Sequence, residues 1–414
     1  MEIEDQVARL HRFVAWLDQF GETSWDHQSY FASDRMRRIK AAYYRRPVAG
    51  VALVAPVIAC EAFLPRTRRL FWKPQRFPIA DAHYAMGFAY LAQALGSSAY
   101  HDRAVHFLNV LIETRCKNAF RYCWGYPFHW ETKNGTIPAE TPLITTIPYV
   151  YEAFRAVYEI DGNPRWRTVM HSIAEHAAED YHDRETAPGS FSCSYTPDPG
   201  DPCGVINASA YRAFVLTQAS AEFAEPRYQR IAAGNLAYVI DSQNADGSWF
   251  YATDGKRDFV DHFHTCFVLK ALAKVELLAP TAPVTAAIDR GLRYYVEHLF
   301  DADGSPKPFS RRPRLTVYRK ELYDYAECIN LGTLLAGRDR AFDQIVEKVI
   351  ALAGWQKTDG SFRTRQLFWG WDDVPMHRWA QSQIFRSLSY ALLRRIGTDA
   401  PKASRCGTET SAEG

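Results

Sequence analysis

Apolar positions along the chain fall into two alternating kinds of helical segment. One kind carries a single stripe: in "PRYQRIAAGNLAYVIDSQ", Ile231, Leu236, Tyr238 and Val239 recur at roughly helical spacing among polar residues. The other is apolar around most of its circumference, as in "DHFHTCFVLKALAKVELL", and belongs in an interior. Interior segments recur six times, as "ADAHYAMGFAYLAQAL", "TPLITTIPYVYEAFRAV", "VINASAYRAFVLTQAS", "DHFHTCFVLKALAKV", "ELYDYAECINLGTLL" and "MHRWAQSQIFRSLSYALL", starting at Ala80, Thr141, Val205, Asp261, Glu321 and Met376. Striped helices precede the last five, near residues 101, 164, 227, 284 and 339, and the N-terminal 60 residues can supply the sixth, beginning with the amphipathic "MEIEDQVARLHRFVAWLDQF".

A helical hairpin cannot bury its apolar face alone. Six at this period are best satisfied by closing into a ring with the interior helices inside, an all-α (α/α)6 toroid over residues 1–400, with an open solenoid as the alternative. Asp-Gly-Ser turns at Asp246, Asp303 and Asp359 lie 57 and 56 residues apart and punctuate the same repeat. Glycine there supplies the positive φ of a helix C-cap, while Asp and Ser bond the local backbone. The turns are expected at one end of the ring, with Trp130, His264 and Trp371 lining the other. Residues 401–414 lack a periodic pattern and are expected to be disordered.

Composition narrows the class. With 47% apolar and 23% charged residues among 414, the chain is an ordinary globular protein, and a formal charge of +2 argues against nucleic acid as a partner. Eight cysteines without a Cys-x-x-Cys pair do not read as a disulfide framework, and the acidic N-terminus is not a secretory signal, so a cytoplasmic location is expected. The most apolar run, "PVAGVALVAPVIACEAFL", is broken by Pro56 and closed by Glu61, short of the ~18 to 20 residues of a membrane span. It reads as core, and no stable membrane insertion is expected.

Two motif resemblances follow. "QNADGSW" (Gln243 to Trp249) resembles the Gln-x3-Gly-x-Trp repeat of squalene-hopene cyclases, and "QKTDGSF" (Gln356 to Phe362) is a degenerate copy. That likeness covers roughly the C-terminal half and implies a toroid shared by terpenoid cyclases, protein prenyltransferase β subunits and several polysaccharide lyases, epimerases and hydrolases. "CWGYPFHWETKNGTIPAETP" (Cys123 to Pro142) with "DHFHTCFVLKAL" (Asp261 to Leu272) resembles toroid proteins associated with bacterial exopolysaccharide and capsule biosynthesis. This second likeness implies a glycan or lipid-linked saccharide as substrate and polysaccharide-assembly proteins as partners.

The segments joining outer to inner helices are long and dense in Trp, Tyr, His, Arg and carboxylates, which makes them the site candidates. Inner-helix N-termini converge there and favour anions, helped by Arg257, Arg312, Arg314, Arg319, Lys320 and Arg378. Aromatic rings stack on sugar faces, and acids and amides bind hydroxyls, so Trp124, Tyr126, Trp130, Tyr195, Asn207, Arg319, Trp369, Trp371 and Arg378 are candidates for substrate binding. Acid/base work on a glycan needs two protonatable groups, here sought among His129, Glu131, Asp261, His264, Tyr323, Asp324, Asp372 and His377. Asp261 and Asp373 are equally readable as helix N-caps.

The expected function is modification of an acidic glycan by elimination, epimerisation or hydrolysis. The alternatives are prenyltransferase-like or terpenoid-cyclase-like chemistry, and a non-catalytic glycan-binding subunit. Cyclisation is disfavoured, because no Asp-x-Asp-Asp motif is present and "WDDVP" (Trp371 to Pro375) lacks the further Asp of a diphosphate site. No cofactor is expected, with one exception. Prenyltransferase β subunits hold zinc with an Asp-x-Cys and a later His in a His-Thr-Cys-Tyr stretch. "GDPCG" and "HTCF" are similar to these, which makes Asp201, Cys203 and His264 an alternative zinc set.

Overall fold

The computed structural model describes residues 1–312 and 316–399; Arg314 and the 401–414 tail lie outside the described residues. In chain order come α1 (Ile3–Phe20), α2 (Asp34–Arg45), α3 (Pro47–Phe63) and the short α4 (Arg68–Phe71). Five inner and outer pairs follow: α5 (Pro78–Leu95) with α6 (Ser98–Glu113), α7 (Ile147–Asp161) with α8 (Pro164–Glu179), α9 (Ile206–Phe223) with α10 (Pro226–Asp241), α11 (His262–Leu278) with α12 (Ala282–His298), and α13 (Leu322–Leu334) with α14 (Arg340–Ile350). A π-helical turn, His377–Gln381, leads into α15 (Ser382–Asp399).

The inner helices α5, α7, α9, α11, α13 and α15 each pack against the next, and α15 packs against α5, so the ring closes as an (α/α)6 toroid rather than an open solenoid. α1 is the sixth outer helix. It lies on α15 and is pinned where Gln6 Nε2 donates to the Leu388 carbonyl at 2.7 Å. The inner helices are buried around their circumference, α9 from Ile206 to Ala219 without a break, which is why their sequences lack a polar face.

The Asp-Gly-Ser turns do not sit opposite the candidate loops, nor do they cap the helices. α10 ends at Ser242 in right-handed geometry, and the turn follows several residues later. Asp246 Oδ1 accepts from Ser248 N at 3.0 Å, and Asp359 Oδ1 from Ser361 N at 2.9 Å. Gly247 and Gly360 adopt φ of +91° and +93°, and a Cβ at either would fall 2.4 or 2.2 Å from the carbonyl oxygen of Arg290 or Arg12 on the next outer helix. Gln243 Nε2 donates to Ala287 O at 2.9 Å, and Gln356 Nε2 to Arg9 O at 3.0 Å. The motif therefore clips one outer helix to the next, and the same connection then runs inward to the cavity residues.

Short antiparallel ladders stiffen these connections: β1 (Trp130–Thr132) with β2 (Gly135–Ile137), β3 (Asp183–Ala187) with β4 (Ser190–Cys193), β5 (Val260–Asp261) with β6 (Phe309–Arg311), and β7 (Tyr318–Glu321) with β8 (Arg365–Leu367) and β9 (Trp371–Asp372).

The apolar run expected in the core is α3, and it is not core. Only Gly50, Val54 and Val57 of its 17 residues are buried. The ring has six outer places and α1 already fills the sixth, so α2 and α3 form an additional hairpin outside it. No described helix is long and apolar enough to cross a membrane alone.

Candidate active site

The connections and the first turns of the inner helices enclose a cavity of about 650 Å3 at one end of the ring, within the ~300 to 1,000 Å3 of small-molecule sites. Its wall is aromatic. Tyr126, Tyr149, Tyr195, Tyr211, Tyr251 and Tyr323 line it, with Trp130, Trp379, Phe263 and Phe267 between them. Burial pushes the Tyr251 hydroxyl up to about 12 and those of Tyr149, Tyr195, Tyr211 and Tyr323 well above the usual range, so these groups remain donors at neutral pH.

His264 lines the cavity from the first turn of α11. Its position follows from one carboxylate with two tasks. Asp261 caps the helix, Oδ1 accepting from His264 N at 3.0 Å, and the same group holds His264 Nδ1 at 2.7 Å through Oδ2. Asp261 is itself buried. The N-cap and the functional reading of Asp261 thus describe one residue, and the pairing leaves Nε2 as the ring nitrogen without a hydrogen-bond partner among the described residues. Tyr251 packs edge-on against the ring at 4.7 Å between centroids.

Glu131 also lines the cavity, from β1, where it faces Thr136 of β2 and accepts from the threonine hydroxyl. Arg378 forms a flat, fixed part of the wall. Asp26 holds its guanidinium at 2.7 and 3.0 Å, and the guanidinium carbon lies 4.4 Å from the Tyr126 ring centroid and 4.6 Å from that of Trp379. Asn207, at the start of α9, lines the cavity with a buried Oδ1 that no described residue bonds, an acceptor free for a ligand hydroxyl.

Beneath lies a buried ionic floor. Tyr149 and Tyr211 join hydroxyls at 2.5 Å, and Gln383 Nε2 meets His83 Nε2 at 2.6 Å. Glu327 pairs with Lys270 and with Arg386, and Glu152 with Lys274. Three cations against two carboxylates leave a net positive charge under the cavity.

Several sequence candidates are elsewhere. His129 is exposed, its Nδ1 accepting from Ala139 N at 3.1 Å. Trp124 is buried behind the wall, donating to Leu111 O at 2.8 Å. Asp372 is buried in an ion pair with Arg68 at 2.8 Å, and Asp373 pairs with Arg66 rather than capping a helix. His377 is sealed between Tyr84 Oη at 2.5 Å and the Gly21 carbonyl at 3.0 Å, facing away from Arg378. Trp371 packs edge-on against Trp355, Trp369 lies on the surface against Phe63, and Arg319 is exposed. Asp324 does not line the cavity beside Glu131 and His264; burial holds its carboxyl well above the usual range, with Glu321 and Asp261 adding to the effect. Of the cations expected to draw anions, Lys320 pairs with Asp303, and Arg257 lines the cavity but is held by Asp254 at 2.6 Å.

Asp201, Cys203 and His264 all line the cavity, yet they do not assemble as ligands. Asp201 spends both oxygens on its own loop, Oδ2 on Thr196 N and Oδ1 on Cys203 N, each at 3.0 Å, and burial pushes the Cys203 thiol up to about 11. Among the described residues no group of three His, Cys, Asp or Glu is arranged to hold a metal ion. The zinc set does not fit.

Sequence reasoning missed Tyr149, Tyr211, Tyr251, Trp379 and Gln383. The available signal was position: four of the five occupy the first two turns of inner helices or the π-helical turn before one.

Neither a protein-family model nor a curated protein sequence matches this chain. Its likeness is to solved α/α-toroid carbohydrate enzymes. Cellobiose 2-epimerase from Bacillus thermoamylovorans superposes with a TM-score of 0.60 at 10% identity, over 77% of this chain and 88% of that one. Unsaturated glucuronyl hydrolase from Bacillus sp. GL1 gives 0.60 at 12% identity, over 95% and 97%. An α-1,6-mannanase from a Salegentibacter species gives 0.56 at 11% identity, over 78% and 90%. At such identities what is shared is the toroid fold.

Proposed function

We propose that this chain is an enzyme that transfers a proton at a sugar carbon, epimerising or eliminating an acidic saccharide, free or lipid-linked, during polysaccharide assembly or modification. The observation that carries the reading is the Asp261–His264 pair, which directs a free imidazole nitrogen into a tyrosine-walled cavity that Glu131 also lines. His264 Nε2 takes the proton from a carbon next to a carbonyl or carboxylate. A second proton, delivered to the other face by the Tyr323 hydroxyl or by Glu131 as its carboxylic acid, gives the epimer and leaves the first on His264 to pass to solvent; departure of the neighbouring substituent, protonated by the same donors, gives an unsaturated sugar.

Hydrolysis by two carboxylates is less well supported. The other acids lining the cavity are occupied: Asp198 with Gly200 N at 2.9 Å, Asp201 with its loop, and Asp254 with Arg257. The net positive floor and the unpartnered Asn207 acceptor suit an anionic, hydroxyl-rich ligand.

The test is incubation in heavy water with oligosaccharides ending in uronic acid or in neutral sugars. Deuterium uptake is read by mass spectrometry, and unsaturated product by ultraviolet absorbance. His264→Ala is expected to lose about 100-fold or more in rate, and Glu131→Gln about 100-fold, with melting temperatures unchanged. A parent protein that neither exchanges nor converts any saccharide, or a fully active His264→Ala, would sink the reading.

A further inference from the structure

The α2–α3 hairpin is the least ring-like part of the molecule. α3 exposes Val48, Val51, Leu53, Ile58 and Phe63, Val48 at 93% of its full surface, and the patch continues into Leu64 and into Leu70 at 85%. Phe63 packs against Trp369 at 5.5 Å between centroids, so the apolar surface runs onto the β8–β9 turn. An isolated exposed leucine means little, but a contiguous face of this length marks an interaction surface.

Charge identifies the occupant. Residues 34–73 hold ten Lys and Arg against two Asp and Glu, a net of +8 in a chain whose formal total is +2. Some of these cations are spent within the fold: Arg37 on Asp34, Arg66 on Asp373, Arg68 on Asp372. Arg35, Arg38, Arg45, Arg46 and Lys73 are exposed and have no ion pair among the described residues. A second copy of this chain would bring the same positive charge to the contact, which opposes self-association. An anionic bilayer offers hydrocarbon to the apolar face and headgroup charge to the rim.

Geometry fits a helix lying in the interface rather than crossing it. α3 has 17 residues, about 26 Å of helix against ~30 Å of hydrocarbon, and the chain turns through 114° into Pro65–Phe71. The hairpin is held as a unit: a Cβ on Gly50 would lie 2.4 Å from the Tyr43 Cα, so glycine is what lets α3 cross α2 closely. Trp369 supplies the amphipathic ring that favours the interface. We infer that this hairpin docks the protein on an anionic membrane surface with α3 immersed at headgroup depth. Gln28, just before α2, and Tyr44 on it also line the cavity, so docking sets the cavity beside the lipid. The inference does not depend on the chemistry assigned to the cavity.

Flotation of the full chain with phosphatidylcholine vesicles, and with vesicles containing phosphatidylglycerol, tests it without any saccharide. The protein is expected to float with anionic vesicles at least about tenfold more than with neutral ones and to be partly released by salt. Val51→Glu with Leu53→Glu should abolish flotation. Arg45→Glu with Arg46→Glu should cut it by roughly an order of magnitude, both with unchanged far-UV circular dichroism; Leu70→Glu provides a second apolar probe outside the helix. A parent chain that stays at the bottom of the gradient, flotation indifferent to these substitutions, or a dimer in sedimentation that Leu53→Glu dissolves would overturn the inference, the last by naming a second copy as the occupant.

Discussion

Replacing Glu327 by Gln removes a carboxylate shared by two buried cations on different helices. Glu327 on α13 is fully buried; it pairs with Lys270 on α11 and, at 3.2 Å, with Arg386 on α15, so it ties three inner helices under the cavity. Removing one partner of a buried pair costs about 3 to 5 kcal/mol, because charge is left uncompensated. Here only one of the two cations can escape. Burial already holds the Lys270 ammonium down to about 8 with Glu327 present, and loss of the Glu327 charge, which opposes that effect, lowers it further. Lys270 therefore sheds its proton near neutral pH, whereas Arg386 cannot. The expected loss at pH ~7 is nearer 3 than 5 kcal/mol.

The pH dependence has a fixed sign. Folded Lys270 releases its proton at about 8, whereas an unfolded lysine keeps it to ~10.4. The unfolded state thus binds more protons between these values, and stability rises with pH across that window. In Glu327→Gln the rise starts at lower pH, so the gap from the parent protein narrows by about 1.4 kcal/mol per pH unit on the approach to pH ~8. Urea unfolding followed by tryptophan fluorescence and circular dichroism at several pH values measures both effects. The triple replacement Lys270→Met, Glu327→Leu and Arg386→Met removes Glu327 together with both cations it pairs, leaving the Lys274–Glu152 pair, and should recover most of the loss. A Glu327→Gln protein that unfolds with the parent at every pH would refute the argument.

The toroid was legible because six apolar segments at a constant period leave few ways to hide their faces. The site was legible only in part, since the same residue types serve two directions in these connections. His377 and Arg378 are neighbours, but the π-helical turn sends Arg378 over Tyr126 and His377 back toward Gly21. Trp130 reaches the cavity while Trp124, six residues earlier, knits the wall to α6. Tyr149 and Tyr211 looked like core because they are nearly as buried as core, and what distinguishes them is the void they face. α3 misled for the opposite reason: its composition says interior, yet the place an interior helix needs was already taken.

Three further outcomes are expected. Asp261→Asn keeps an acceptor for the α11 cap and should unfold within ~0.5 kcal/mol of the parent, whereas Asp261→Ala should lose about 0.5 to 2 kcal/mol; both should slow turnover of any saccharide that exchanges deuterium in the heavy-water assay, because His264 loses the partner that fixes its tautomer. Gly360→Ala should cost more than Gly337→Ala, read as urea midpoints, since both glycines have positive φ but only at Gly360 would the new Cβ meet a carbonyl oxygen, 2.2 Å away. Part of the acid lability should come from buried histidines: burial holds four of them, His27, His83, His262 and His377, below the usual range. Burial lowers His262 to about 3 and His377 to about 4; each is bonded in its neutral form, His262 to Tyr295 Oη at 2.6 Å and His377 to Tyr84 Oη at 2.5 Å. Unfolded histidines take up protons below ~6.5, so between that value and about 4 His262 and His377 together bind two more protons unfolded than folded. The stability these groups confer is whole above pH ~6.5 and is lost as pH falls, at up to about 2.7 kcal/mol per pH unit for the pair. His377→Gln can still donate to Gly21 O but cannot titrate, so its stability should fall less steeply with acid, by about 1.4 kcal/mol per unit. Urea midpoints measured from neutral pH down to pH ~5 in both proteins decide the matter: parallel slopes would show that His377 does not contribute to the acid response.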